Sequence, residues 1–366
     1  MKIVVVIPTY NEKDNIGATI DNLIKVLTQI PARHQAEILV IDDNSPDGTA
    51  EIVKQKAKLE PRIKYLPNRH KAGLGAAYIK AFRYAMDKLG ADAVFEYDAD
   101  GSHQPKYIPG MVGELDKGAD VVVGSRYVPG GSMPDNWGWD RKLISYLGNF
   151  IARSVLWAWQ YKDMTSGFRV TKTIFLKQVD LDNLLSKQFA YKIHLYYALH
   201  RLGAKIVEFP IDFIDRSLGS SKFPRNNILD SLRVVFTLRW RQNEKLFKVL
   251  LVGGLGSVVQ LIVYNLFRLR MNLALAQNLS IETAIVSNFI FNNIWTFKEK
   301  GWSMVRFIKF NLSSFGSLII QNIVLLGGVR LLGQSIKIEN ILVTIGIIIG
   351  AIWNYLMYTR VVWKAK

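Results

Sequence analysis

The stretch DAVFEYDAD, Asp92–Asp100, decides how the first two thirds of this chain fold. Its beginning is apolar, with branched and aromatic residues typical of a buried strand, and its end carries two acids one residue apart, Asp98 and Asp100. Neighbouring carboxylates repel each other, so placing them together requires a cation or protons to offset the cost. The stretch therefore predicts a charged site at the end of a sheet.

Four other segments have the same character: KIVVVIP, AEILVIDD, RIKYLPN and DVVVGSRY. Helical patterns lie between the strands, at residues 14–29, 49–59, 75–89 and 106–117. Strands alternating with helices predict an α/β fold with a mostly parallel sheet and helices on both faces. Ligands of such sheets bind at the carboxyl ends of the strands, where the polar clusters PTYNE, DDNSPDGT and DAD stand.

The two acids of DAD favour a metal site. We expect Asp98 and Asp100 on the same face of their strand, because side chains alternate with a period of two. Oxygen ligands without Cys or His suit Mg²⁺ or Mn²⁺, which usually shares its coordination with substrate phosphates. The alternative is a solvated acidic turn.

Arginines and hydroxyls near the same strand ends indicate a phosphate site. Each of these residues taken alone could also be an ordinary surface side chain. The candidates are Arg126, Arg141, Ser145, Ser166, Arg169, Arg216 and Lys222.

Composition limits the class of protein. The chain has 366 residues, 49% of them hydrophobic, and a net charge of +17. It has no cysteine, which excludes disulfides, cysteine–zinc sites and thiol catalysis. The first residues lack a signal-peptide pattern, so we expect the chain to begin in the cytosol. The positive charge favours an anionic membrane surface over nucleic acid, because much of the excess flanks long apolar runs.

Those runs predict transmembrane helices. Val249–Phe267, Phe310–Val329 and Asn340–Thr359 each have about 20 uncharged residues, enough to span a bilayer. A fourth candidate, Leu273–Phe297, is interrupted by Glu282 and several amides. With four spans, the segments at 239–248, 298–309 and 360–366 would share one side and hold eleven Lys and Arg residues, against four at 268–270 and 330–337. This asymmetry predicts an integral membrane protein with the α/β domain and both termini in the cytosol.

These motifs carry a family resemblance. VVVIPTYNE, VIDDNSPDGT, KAGLGAAYIKAF, YDADGSHQP, GSRYVPGG, RKLIS, TSGFR and DRSLGSSK resemble the dolichyl-phosphate mannose synthases of glycosyltransferase family 2. They cover most of residues 1–225, in the order of the family. The segments NFIFNNIWTF, RFIKF and NYLMYTRVVW resemble the four-helix GtrA-like membrane domain.

The resemblance implies a GT-A type nucleotide-sugar-binding fold over residues 1–225, an interface helix or linker at 226–244 and a four-helix transmembrane domain at 245–366. It implies inverting transfer of mannose from GDP-mannose to dolichyl or another polyprenyl phosphate, giving dolichyl β-D-mannosyl phosphate and GDP, with Mg²⁺ or Mn²⁺ as cofactor. The implied partners are these two substrates and the lipid bilayer, and no nucleic acid.

The resemblance also assigns roles to residues. The implied nucleotide-sugar site contains Pro8, Tyr10, Glu12, Val40, Asp42, Asp98, Ala99, Asp100, Ser102 and Arg126. The implied metal ligands are Asp98, Asp100 and Ser102. The implied lipid-phosphate ligands are Arg126, Arg141, Ser145, Arg216 and Lys222, and the residues expected in catalysis are Asp98, Asp100 and Arg126.

The chain departs from the family at one point of this site. Gly101 and Ser102 stand where these synthases often have Leu and then Gln or Ser, which puts direct metal ligation through Ser102 in question. His103 is expected to be structural. A lipid phosphate is already anionic near neutral pH, so the reaction needs positioning more than a base. One displacement at the anomeric carbon inverts its configuration without a nucleophilic carboxylate.

Two aromatic-rich segments have the pattern of helices that lie in a membrane interface. They are SYLGNFIARSVLWAWQY at 145–161 and NNILDSLRVVFTLRWRQ at 226–242. The first could equally be an amphipathic helix packed on the domain.

Three other functions compete with mannose transfer. One is a polyprenyl-phosphate glucosyltransferase that uses UDP-glucose, although GWDRKLIS and DRSLGSSK favour mannose. A processive polysaccharide synthase would carry Q-x-x-R-W, but Phe236 stands where the glutamine belongs. A lipid-carrier transporter with a regulatory α/β domain would not need the D-x-D and arginine set. The sequence carries no signal of oligomeric state.

Overall fold

The computed structural model describes residues 1–69, 71–215, 226–299, 301–333 and 335–363. The chain forms two compact units, Met1–Arg239 and Trp240–Lys366.

The first unit is built on seven strands. They are β1 Lys2–Thr9, β2 Gln35–Asp42, β3 Ile63–Pro67, β4 Ala93–Glu96, β5 Val121–Ser125, β6 Arg169–Lys172 and β7 Ile206–Pro210. The helices in the first part of the chain are α1 Lys13–Leu27, α2 Thr49–Leu59, α3 Leu74–Asp87, α4 Ile108–Asp116, α5 Trp139–Leu156, α6 Thr173–Leu176, α7 Tyr191–Arg201 and α8 Asn226–Gln242.

The strands form one sheet in the order β3-β2-β1-β4-β6-β5-β7. All neighbouring pairs are parallel except those of β6, which runs antiparallel to both β4 and β5. Apolar residues of α1, α2 and α4 cover one face of the sheet, and those of α3, α5, α7 and α8 pack in the core on the other. The predicted α/β fold with a mostly parallel sheet is confirmed, and the carboxyl ends of β1, β2, β4 and β5 meet at one edge.

The position of the two acids differs from the prediction. Strand β4 ends at Glu96, so Asp98 and Asp100 lie in the loop that follows and not on one face of the strand. The alternation of strand side chains therefore does not apply to them. What brings them to the mouth of the sheet is the loop itself, which Gly101 turns with a φ of 78°.

The second unit contains four helices, α9 Glu244–Arg268, α10 Leu273–Phe291, α11 Met304–Leu332 and α12 Ile336–Met357. Within the described residues, three stretches are long and apolar enough to cross a membrane: Glu244–Arg268, Met304–Leu332 and Ile345–Val362. The fourth predicted span forms helix α10, but it is not among these three. Glu282 and the amides along it lower its hydropathy, which is the weakness that the sequence pattern already had.

The four helices pack as two hairpins, α9 with α10 and α11 with α12. Small residues allow the close approach. A Cβ at Gly256 would overlap the amide of Asn288, and one at Gly350 would overlap the hydroxyl of Ser317. Each hairpin ends in a short π-helical turn, Asn292–Thr296 after α10 and Tyr358–Val362 after α12.

Candidate active site

The loops after β1 and β2 are tied together by hydrogen bonds. Three consecutive backbone N–H groups, at Asn11, Glu12 and Lys13, donate to side chains of the second loop. Their acceptors are Ser45 Oγ at 2.9 Å, Thr49 Oγ1 at 3.0 Å and Asp47 Oδ2 at 3.0 Å. These contacts satisfy donors that the start of α1 would otherwise leave open. The motifs PTYNE and DDNSPDGT therefore form one structural unit.

Asp42, expected at the nucleoside, lies inside this unit. Its carboxylate accepts hydrogen bonds from the Thr9 hydroxyl at 2.9 Å and from the Ser45 hydroxyl at 2.6 Å and N–H at 2.9 Å. The residue is buried. Asp42 thus helps to shape the two loops at the edge of the sheet.

The other residues implied at the nucleotide occupy different depths. Pro8 and Tyr10 are half-buried at the end of β1, and the Tyr10 ring carries Lys71 Nζ at 3.6 Å from its centroid. Glu12 stands at the start of α1 and accepts a hydrogen bond from Asn15. Val40 is fully buried in the core between the strands, so its side chain cannot line a pocket. The Val40 side chain therefore does not contribute to the site, and the place of this residue at the nucleotide stays a prediction.

The loop after β4 holds the two candidate metal ligands in fixed positions. Asp98 Oδ1 accepts a hydrogen bond from the hydroxyl of Tyr78 at 3.0 Å. Asp100 Oδ1 accepts from the Ser102 N–H at 3.1 Å and from the Ser102 hydroxyl at 2.6 Å. The carbonyl of Ala99 accepts from Thr19 at 2.9 Å, which fixes the loop to α1. Ser102 therefore orients Asp100 through its hydroxyl, and its implied ligation of a metal ion stays a prediction.

His103 contacts the loop after β4 through a hydrogen bond and packs against the core. The backbone N–H of Asp98 donates to His103 Nδ1 at 3.0 Å, and the imidazole stacks on Phe168 with 4.9 Å between ring centroids. Burial lowers the pKa of His103, and the charge of Asp98 opposes that shift. Arg126 and Lys192 also act on this pKa, so the acidic loop and two basic side chains surround one ring. These contacts fit the structural role expected for His103.

Arg126, at the end of β5, is held by a buried carboxylate. Its Nε and one Nη donate to Asp163 at 2.7 and 2.8 Å, and the same Nη donates to Thr165 at 2.8 Å. Burial alone would raise the pKa of Asp163, but Arg126 more than offsets this and the pKa lies below its usual value. The guanidinium is therefore fixed in place before any anion arrives.

Helix α5 carries two more predicted phosphate ligands, Arg141 and Ser145. The Ser145 hydroxyl lies 2.6 Å from the hydroxyl of Tyr127, the residue that follows Arg126 in the sequence. Asn149, one turn further along, donates to Thr165 at 3.0 Å and so joins α5 to the residues that hold Arg126. Arg141, one turn before Ser145, is half exposed.

The surroundings of Arg141 differ from those of Arg126. Its guanidinium stacks on Trp137 at 3.9 Å and pairs with Asp215 at 3.1 Å. The other two predicted ligands, Arg216 and Lys222, lie outside the described residues.

Two candidates for the phosphate site, Ser166 and Arg169 of the TSGFR motif, are buried away from the mouth of the sheet. Arg169 is fully buried on β6, and its guanidinium pairs with Glu96 on β4 at 2.6 Å. Ser166 is buried and donates to the carbonyl of Gly124 at 2.5 Å. Their assignment to a phosphate site was wrong. A single sequence does not distinguish a buried arginine from an exposed one when its carboxylate partner is 73 positions away.

The sequence reasoning missed three residues of this region: Tyr78, Asp163 and Lys192. Tyr78 and Lys192 both contact Asp98, from α3 and α7. Asp163 precedes the TSGFR motif by two residues, and a lone acid beside a cluster of basic residues was the one signal available for it. The other two lie inside apolar helical patterns that predict only core packing.

The half-buried acids Asp98 and Asp100 and the fixed guanidinium of Arg126 lie at the carboxyl edge of the sheet, where ligands of such sheets bind. Residues 4–179 match the family model of glycosyl transferase family 2, and residues 248–363 match the GtrA/DPMS transmembrane domain. The chain belongs to glycosyl transferase family 2 and carries this membrane domain at its C-terminal end. It is an integral membrane protein.

The relatives are mannosyltransferases. The chain is 30% identical over 375 residues to the dolichol-phosphate mannosyltransferase of Pyrococcus furiosus, covering 99% of both chains. It is 38% identical over 240 residues to the undecaprenyl-phosphate mannosyltransferase of Micrococcus luteus, covering 66% of this chain and 94% of that one. Among solved structures, glucosyl-3-phosphoglycerate synthase from Mycobacterium tuberculosis with Mn²⁺ and UDP-glucose has a TM-score of 0.47 at 18% identity, over 65% of this chain and 77% of that one.

Proposed function

We propose that this enzyme transfers mannose from GDP-mannose to a polyprenyl phosphate and releases GDP. The observation that carries the proposal is the match to a dolichol-phosphate mannosyltransferase along 99% of both chains. A second relative, named for undecaprenyl phosphate, supports a polyprenyl phosphate as the class of acceptor. GDP-mannose as the donor is our inference from the motifs of the first unit.

A divalent cation fits the loop after β4. The donor set is two carboxylates, Asp98 and Asp100, held in place by Tyr78 and Ser102. No group of three or more His, Cys, Asp or Glu side chains suited to a metal occurs among the described residues, so substrate oxygens and water would complete the coordination. Two carboxylates suit Mg²⁺ or Mn²⁺ bound together with a diphosphate, because these ions prefer oxygen ligands. When bound, the cation would stabilise the charge that develops on the leaving diphosphate.

The remaining residues act on the acceptor. In our proposal Arg126, Arg141 and Ser145, with Arg216 and Lys222, hold the lipid phosphate against the anomeric carbon. A phosphate oxygen forms the new bond to that carbon, and the electron pair of the broken sugar–oxygen bond stays with GDP. The acceptor is already anionic near neutral pH, so no general base is required. Because Asp163 fixes Arg126, little reorganisation is needed when the phosphate arrives.

Helix α5 has a surface suited to a membrane interface. Apolar and aromatic side chains on it are exposed at a helical spacing, and Trp139 is 80% exposed. The others are Leu143, Tyr146, Leu147 and Phe150. An exposed apolar stripe of this kind marks a contact with lipid or protein. We propose that α5 lies on the membrane surface, where it presents Arg141 and Ser145 to a lipid that stays in the bilayer.

The proposed arrangement has three parts: a catalytic domain at residues 1–225, an interface helix or linker at 226–244 and a transmembrane domain at 245–366. The catalytic domain and both termini face the cytosol in this proposal. The basic residues that flank the spans support this orientation.

A donor and acceptor panel tests the function. Full-length protein in detergent is incubated with Mg²⁺ or Mn²⁺, one of four labelled sugars (GDP-mannose, GDP-glucose, UDP-glucose or UDP-galactose) and dolichyl or undecaprenyl phosphate. We expect lipid-linked label from GDP-mannose. Label from UDP-glucose with none from GDP-mannose would replace the proposal by the glucosyl alternative.

A further inference from the structure

Lys192, in the first turn of α7, is a buried cation at the acidic loop. Its side chain is 6% exposed, and the nearest acidic atom is Asp98 Oδ2, 3.7 Å from Nζ. That distance exceeds a hydrogen bond. The ring of Phe189 also lies near this ammonium, with 5.3 Å from Nζ to its centroid. An ammonium has three donors, and neither of these contacts is a hydrogen bond, so the group has donors available for an anionic ligand.

A glycine makes room for this side chain. A Cβ added at Gly167 would lie 1.9 Å from Lys192 Nζ, so any larger residue there would displace the ammonium from its present position. Gly167 has no left-handed backbone that would itself require glycine. In this structure the glycine of the TSGFR motif therefore serves to let Lys192 reach the mouth of the sheet.

The charges of Asp98 and Lys192 determine which ligands bind beside them. The ammonium of Lys192 repels a bare metal ion approaching Asp98, whereas it attracts a metal ion that already carries phosphoryl oxygens. Removing the ammonium should therefore change the two affinities in opposite directions. A side chain that only supports the fold would change both in the same direction, or neither.

We propose that Lys192 Nζ binds an anionic phosphoryl oxygen of a substrate beside Asp98, so that Lys192 is a substrate-binding residue. The proposal rests on the proposed function, since the phosphoryl oxygens belong to its substrates. Two substrates could supply this phosphoryl oxygen: the donor through its diphosphate and the lipid through its monophosphate. Gly167 is then a positioning residue for Lys192.

The test uses the full-length protein in detergent and three variants. Lys192→Met removes the ammonium and keeps the stem, and Gly167→Ala keeps the charge but displaces it. Lys177→Met is the matched control, an exposed lysine just after α6, at the opposite edge of the sheet. Binding of Mn²⁺ alone, Mn²⁺ with GDP and Mn²⁺ with UDP is measured by calorimetry, together with thermal melts and the KM for dolichyl phosphate.

For Lys192→Met we expect Mn²⁺ alone to bind as well as or better than to wild type. Either the affinity for Mn²⁺ with nucleotide falls by about tenfold or more, which identifies the donor diphosphate, or the KM for dolichyl phosphate rises by that factor, which identifies the acceptor. Gly167→Ala should weaken the same step, and Lys177→Met should match wild type. The melting temperature without ligand should not fall in Lys192→Met.

The proposal is overturned if nucleotide affinity and acceptor KM both stay within about twofold of wild type, or if metal, nucleotide and stability all decline together in both variants. UDP is included because wild-type binding of UDP and not GDP would contradict the proposed donor while leaving the role of Lys192 measurable. The two failures are therefore distinct.

Discussion

Arg126 and Asp163 illustrate how a buried charge is prepared for an anionic ligand. The carboxylate is fully buried, and two of the guanidinium nitrogens donate to it. Breaking a buried pair by removing one partner typically costs about 3–5 kcal/mol, because the remaining charge is left uncompensated. The pair therefore supports both the fold and the geometry of the proposed phosphate site.

Asp163→Asn should lower the melting temperature in a pH-dependent way. The pKa of Asp163 lies below its ordinary value of 3.8, so its stabilising contribution is complete above that value and is lost as pH falls through the lower, folded-state pKa. The difference in melting temperature between wild type and variant should therefore be largest above about pH 4 and shrink below it. Melts of both proteins between pH 3 and 8 measure this. A difference that grows toward low pH would contradict the assignment.

Asp100→Asn should keep the fold and lose metal-dependent activity. The amide oxygen can still accept from Ser102, but the negative charge is gone. Removing a group that stabilises a charged transition state commonly lowers the rate on the order of a hundredfold or more. The variant should also lose the stabilisation that Mg²⁺ or Mn²⁺ with GDP gives to wild type in thermal melts. Near-normal transfer with unchanged melts would favour a solvated acidic turn.

Prediction from the sequence was most reliable for the position of the acidic residues. Asp98 and Asp100 were expected at the mouth of the sheet and lie there, in the loop after β4, while their binding of a metal ion stays a prediction. An arginine has many uses, and Arg169 was misassigned because only the fold brings Glu96 beside it. Lys192 was missed because its segment predicts only core packing, and the contact with Asp98 depends on how α7 packs against the loop after β4.

Strand β6 also depends on partners that are distant in the sequence, and it was not predicted. Four of the first five strands and the first four helices were predicted within about two residues of their observed ends, because each has a clear apolar period. The exception is β4, which ends at Glu96 and not at Asp100. Strands β6 and β7 have four and five residues, and β6 carries Arg169, Thr171 and Lys172. No apolar pattern marks so short and polar a strand. Its antiparallel insertion between β4 and β5 depends on pairing with both neighbours.

The ion pair between β4 and β6 gives a prediction for these elements. Arg169→Met should destabilise the protein by about 3–5 kcal/mol, because Glu96 stays buried without its partner. The double variant Glu96→Gln/Arg169→Met should recover part of this loss.

Arg83→Met is the matched control for that prediction. It removes the ion pair of Arg83 with Asp182, in which the two side chains are 48% and 68% exposed. Such exposed pairs contribute about 1 kcal/mol or less to the free energy of unfolding. Denaturant unfolding of all three variants compares them. Equal losses for Arg169→Met and Arg83→Met would mean that the buried pair does not hold β6 in the sheet.

Across the whole molecule, the two units carry different kinds of sequence. The proposed site residues stand before residue 226, and the apolar spans begin after 243. The relative from Micrococcus luteus aligns with 240 residues of this chain over 94% of its own length.

A chain ending at Arg241 should therefore keep binding of GDP with Mn²⁺ and measurable transfer to a short, soluble polyprenyl phosphate analogue. Transfer to full-length dolichyl phosphate in vesicles should fall strongly, because the anchor is lost. Calorimetry and the transfer assay on both lengths test this. If the shortened chain is folded by circular dichroism and does not bind the nucleotide, the membrane helices belong to the catalytic unit.

In the proposed reaction a lipid phosphate displaces GDP in a single step that a metal ion assists. The most direct measurement is the linkage and stoichiometry of the product that the full-length protein makes from GDP-mannose and dolichyl phosphate, with Mn²⁺ and with EDTA. We expect one GDP released for each mannose transferred, a β-linked mannosyl phosphate by nuclear magnetic resonance, and no product in EDTA. An α-linked product, or equal transfer in EDTA, would contradict it.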